Sequence, residues 1–112
     1  MEIVWVVNAK NSLGETLDYW DEHNGTTSYS NKIISELKKL LSQIKDNPYS
    51  QKYEKDLGIY VGTILKRRFL IYYAILEDKN TIEIRYFRSS YQKTFSGIFE
   101  GKRRVLILSL FT

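Results

Sequence analysis

Cysteine is absent from the 112 residues of this chain, and histidine, proline and methionine each occur once. Without thiols there is no disulfide scaffold, no cysteine nucleophile and no cysteine-based zinc centre. The single histidine, His23, falls in His23-Asn24-Gly25, which reads as a helix-breaking turn. No nucleophile-elbow motif accompanies it, which removes Ser–His–Asp chemistry. Glycine loops of the Walker or dinucleotide type are missing, and no residue spacing suits a metal. No cofactor or metal is therefore expected. Asp18, Asp21 and Glu22 lie close together but read as a solvated face. No apolar run approaches the ~20 residues of a membrane-crossing helix. The opening Met1-Glu2-Ile3-Val4-Trp5 lacks the basic stretch and apolar core of a secretory leader. These absences predict a soluble, cytoplasmic protein with no membrane partner.

What is present is ordinary globular composition, 43% hydrophobic and 27% charged, over a length that fits one domain. The net charge of +4 is unevenly spread. Residues 1–64 carry seven Lys/Arg against nine Asp/Glu, whereas residues 65–112 carry ten against four. A basic second half on a near-neutral first half points to a polyanionic or acidic partner.

Hydrophobic periodicity divides the chain. Ile3 to Val7 is short and β-branched, which predicts a strand. Asn8 is a candidate helix cap, and Ala9, Leu13, Leu17 and Trp20 recur at helical spacing. The first helix is expected from about Ala9 to Asp21, with Gly25 as a left-handed C-cap. Thr26, Thr27 and Ser28 offer caps for a second helix, in which Ile33, Ile34, Leu37, Leu40, Leu41 and Ile44 form an apolar stripe. Pro48 ends it. Residues 49–57 are polar and read as a loop. Ile59–Leu65, Arg68–Leu76 and Thr81–Arg88 then read as strands, joined by a tight Lys66-Arg67 turn and a Glu77–Asn80 loop.

The expected class is α+β in the order β-α-α-β-β-β. An N-terminal strand precedes an antiparallel helix hairpin packed on one face of a small antiparallel sheet. Strict alternation puts Phe69, Ile71, Tyr73, Ile75, Ile82, Ile84 and Tyr86 on the helix side. It puts Arg68, Leu70, Tyr72, Ala74, Glu83, Arg85 and Phe87 on the open side. That mixture of Arg and aromatic residues suits an interaction surface.

The ordered set Trp5-x-x-x-Ala9-x-x-x-Leu13, Tyr19-Trp20, Tyr29-Ser30-x-Lys32, Asn47-Pro48, Lys66 to Tyr73 and Ile82-x-Ile84 resembles the RelE/ParE superfamily of toxins. The resemblance covers residues 1–94 and leaves 95–112 as a C-terminal extension, expected to pack on the same domain or against an antitoxin. It implies the toxin of a bacterial type II toxin–antitoxin pair, which inhibits growth and stabilises plasmids. A cognate antitoxin, acidic and partly disordered, would neutralise it. RelE-like members cut messenger RNA on the ribosome without metal, whereas ParE-like members poison DNA gyrase by binding. The long helix hairpin with Tyr19-Trp20 looks more ParE-like.

Binding candidates are Lys66, Arg67, Arg68, Tyr72 and Phe87. Under the nuclease alternative the catalytic candidates are Arg85, Arg88 and Tyr91, since metal-free RNA cleavage needs cations around the phosphate and an acid–base side chain. The sequence departs from the family at Tyr60-Val61, where an Arg often begins the strand. It departs again at Ser89 to Thr94, where an Asp-x-Arg-x-x-Pro-like stretch is common. A decayed toxin or non-catalytic interaction module is the third reading.

Overall fold

The computed structural model describes residues 1–90. Strand β1 (Glu2–Trp5) turns Ile3 and Trp5 toward the core and leaves Glu2 and Val4 exposed. Helix α1 (Val7–Asn24) follows directly. It begins two residues before the expected start, and Asn8 is not its cap. The N-cap is Val6, with no side-chain cap. The backbone explains the early start. Val6 N–H still donates to Ile84 C=O at 3.0 Å, while Val6 C=O accepts the first helical bond from Lys10 N–H at 3.1 Å. One residue thus closes the sheet ladder and opens the helix.

Ala9, Leu13 and Leu17, four residues apart, are the buried apolar stripe of α1. Gly25 ends the helix at φ +68°, a conformation that glycine adopts without steric cost, and its N–H donates to Asp21 C=O at 2.9 Å. Helix α2 (Ser28–Asp46) buries Ile33, Leu37, Leu40 and Ile44 against the same sheet face. The expected helix hairpin is therefore present.

The remaining strands are β2 (Lys52–Glu54), β3 (Ile59–Ile64), β4 (Phe69–Leu76) and β5 (Thr81–Ser89). They form one sheet in the order β1-β5-β4-β3-β2. The meander β2 to β5 is antiparallel, as short turns require. β1 departs from the expected antiparallel sheet: it pairs with β5 in parallel, Ile3 beside Ile82 and Trp5 beside Ile84. Its connection to β5 spans most of the chain, so no tight turn dictates its direction. β2 is also unforeseen, lying in the segment read as a loop. It is a three-residue edge strand with little burial, so no apolar pattern announces it.

Gly62 marks the closest approach of helix to sheet. A Cβ built there would stand 2.9 Å from a terminal methyl of Leu40, so glycine lets α2 settle onto β3. On the same face Tyr73 is fully buried, and its hydroxyl donates to Pro48 C=O at 2.6 Å. This bond ties the chain leaving α2 to the centre of β4. Burial, followed by the neighbouring Tyr60, pushes the Tyr73 phenol well above its usual value. No helix among the described residues is long and apolar enough to cross a membrane.

Candidate functional site

Three features bring the candidate residues together: a cationic turn, a β-bulge and the sheet face away from the helices. The turn joins β3 to β4. Leu65, Lys66 and Arg67 have φ of +53°, +55° and +67°, three successive non-glycine residues in the left-handed region. Each such residue costs on the order of 1–2 kcal/mol. Arg68 N–H closes the turn on Leu65 C=O at 3.1 Å. Lys66 and Arg67 are exposed at its tip. Arg68 is half-buried and reaches back, its Nη1 standing 3.5 Å from Tyr29 Oη. Tyr29 belongs to an aromatic row with Trp20 on one side, at 4.8 Å between ring centres, and Phe69 on the other, at 6.5 Å. The turn is thereby anchored to the helix hairpin.

The bulge lies in β5. Tyr72 pairs with Tyr86, but the next residue, Tyr73, pairs with Ile84, so Arg85 is the extra residue. One inserted residue reverses the facing of everything beyond it. Phe87 is therefore not on the open face, as alternation predicted. It is fully buried and stacks on Phe69 at 5.7 Å between ring centres. A binding role through an exposed Phe87 ring is corrected to a core role. Tyr86 takes the open position and is 48% exposed.

On the open face Tyr72 and Tyr86 meet edge to face, with ring centres 5.9 Å apart. The Arg88 guanidinium lies over the Tyr72 ring at 5.8 Å, and its Nη2 stands 3.3 Å from Tyr72 Oη. Leu70, opposite Arg88 in the ladder, continues the surface toward the turn. The result is a half-buried aromatic patch carrying one guanidinium, with the Lys66-Arg67 cations at its end. Such pairing of Tyr and Arg suits a protein-binding surface.

Arg85 is set apart from Arg88 by the bulge. Its Nε donates to Glu83 Oε1 at 2.8 Å. That pair reduces the positive charge Arg85 can offer to a phosphate. His23 lies in the last turn of α1, not in the helix-breaking turn expected from the sequence, and is exposed and stacked on Tyr19 at 5.4 Å. Its ring meets Tyr19 and Trp20 rather than Arg85 or Arg88. Tyr91 and the extension 95–112 lie outside the described residues. Among the described residues no group of three or more His, Asp or Glu side chains is placed to hold a metal ion.

Sequence reasoning therefore placed Lys66, Arg67, Arg68, Tyr72 and Arg88 in one region but missed Tyr86. No local signal in the sequence marks the bulge that exposes it. Neither protein-family models nor curated proteins give a match to this chain.

Proposed function

We propose that this chain is the toxin of a bacterial toxin–antitoxin pair of the RelE/ParE type, acting in the cytoplasm by binding DNA gyrase. The observation that carries this reading is the strained Leu65-Lys66-Arg67 turn beside the Tyr72–Tyr86–Arg88 patch. Strain of this kind persists where function has use for it. Here it holds two cations at the end of an aromatic surface. The residues that carry the family resemblance also occupy structural key points: Ala9 and Leu13 are buried in the core, and Trp5, Trp20 and Tyr29 pack against it. An acidic antitoxin segment fits the same basic surface and would mask it.

Binding is preferred over catalysis because Arg85 is engaged by Glu83 and the His23 ring is packed on Tyr19 and Trp20. The test is gyrase supercoiling with purified protein. Inhibition that saturates with protein supports the reading, and unchanged supercoiling at saturating protein rejects it.

One observation favours the ribosome-dependent, metal-free endoribonuclease instead. Arg88 puts a guanidinium 3.3 Å from the Tyr72 hydroxyl, which sets a cation able to face a phosphate beside a hydroxyl on the open face. That reading predicts messenger RNA cut at ribosomal A-sites when the protein is expressed. Intact transcripts reject it.

A further inference from the structure

An open cleft of about 680 Å³ lies where the β4–β5 connection meets the chain around β2. Tyr49, Tyr53 and Tyr60 line it with Glu77 and Asp78. Tyr60 is stacked on Tyr73, at 5.5 Å between ring centres and 17° between planes, which fixes its position. Tyr49 and Tyr53 are inclined to it at 75° and 55°, with centres 6.0 and 4.8 Å away. The three rings thus form a concave aromatic corner rather than a flat stack. Tyr49 and Tyr53 remain 50% and 51% exposed, so ring surface is left for a ligand.

The charge here runs against that of the molecule. The chain as a whole is +4. Among the described residues Arg85 is the one cation lining the cleft, and it is held by Glu83 at 2.8 Å. Glu77 and Asp78 have no ion pair with a described residue. Glu77 instead accepts a hydrogen bond from the Tyr49 hydroxyl. That bond raises the Tyr49 phenol above its usual value, with burial adding to it. A phenol donating to a carboxylate has a more electron-rich ring, and such a ring attracts a cation more strongly. An anion would meet carboxylates and ring faces, both repulsive to it.

We propose that this cleft is a cage for a quaternary ammonium group, with Tyr49, Tyr53 and Tyr60 as its walls and Glu77 and Asp78 as its counter-charge. Quaternary ammonium fits better than a simple ammonium because it is weakly hydrated and spreads its charge over methyl groups that ring faces can cover. The head group has two sources: a free choline-like molecule, or a trimethyllysine side chain on a protein.

The experiment is NMR titration of the full chain, following the Tyr49, Tyr53 and Tyr60 ring resonances. The probes are choline, a short trimethyllysine peptide, the same peptide unmethylated, and 3,3-dimethylbutanol, the neutral isostere of choline. Saturable shifts of these rings with choline or the trimethyllysine peptide are expected, with little response to the neutral isostere. Whichever cation binds more tightly identifies the source. Tyr53→Ala, at a half-exposed ring, should weaken binding about fivefold. Glu77→Gln keeps an acceptor for Tyr49 but removes the charge, and it should weaken binding without moving the Tyr60 resonances of the free protein. Equal binding of the neutral isostere, or no saturable shift with either cation, overturns the proposal.

Discussion

Replacing Lys66-Arg67 by Asn-Gly should raise stability and lower activity in the same protein. Both residues sit at positive φ, +55° and +67°. Glycine at position 67 relieves ~1–2 kcal/mol of left-handed strain and gives back ~0.5–1 kcal/mol in unfolded-state entropy. Asparagine tolerates the left-handed region and relieves a few tenths of a kcal/mol more at position 66. The net gain is about 1 kcal/mol. For a domain of this size that raises Tm by about 4–5 °C. The same change removes two exposed cations. Two charge contacts at an interface rim contribute about 1.4 kcal/mol together, so gyrase inhibition should fall about tenfold. Thermal melting by circular dichroism and the supercoiling assay read the two effects separately. A lower Tm would refute the strain argument. Undiminished inhibition would refute the role given to the turn.

Other expectations follow from burial and the ladder. Phe87→Ala should cost ~3–5 kcal/mol, whereas Tyr86→Ala should cost under ~1 kcal/mol; chemical denaturation of the pair tests the bulge directly, because strict alternation predicts the reverse order. Gly62→Val should destabilise by about 2 kcal/mol, since its methyls would press on Leu40, and urea melts measure it. Tyr73→Phe leaves Pro48 C=O without its donor and should cost ~1–2 kcal/mol. The raised Tyr73 phenol has a further consequence. Its stabilising contribution is fully present below the ordinary value of 10.0 and is lost as pH rises above it. Stability should therefore fall more steeply above pH 10 in the native protein than in Tyr73→Phe, as melts across that range would show.

The helix hairpin was legible because its signals are local. Ile33, Leu37, Leu40 and Ile44 repeat at helical spacing, Gly25 carries a left-handed turn, and Pro48 blocks continuation. The start of α1 was not, because Val6 caps it through the backbone and offers no capping side chain. The parallel setting of β1 is not a local property: Ile3 and Trp5 would line the same core in either direction. Nor is the bulge. Arg85 looks like any alternating strand residue until the β4–β5 register is known, yet it decides that Phe87 is core and Tyr86 is surface. The basic cluster survived this error because Lys66, Arg67 and Arg68 precede the bulge and Tyr72 lies on the partner strand. The tyrosine cleft was invisible for a related reason. Tyr49, Tyr53 and Tyr60 come from a segment read as loop and from a strand face; the β2–β3 pairing sets Tyr53 beside Tyr60, and the Tyr73 bond to Pro48 C=O brings the neighbouring Tyr49 to them.

Unopposed expression of the full chain in growing bacteria tests the central claim most directly, with colony formation, DNA damage and transcript integrity read from the same cultures. The account predicts growth arrest with induced DNA damage and intact messenger RNA. Growth without arrest would contradict it.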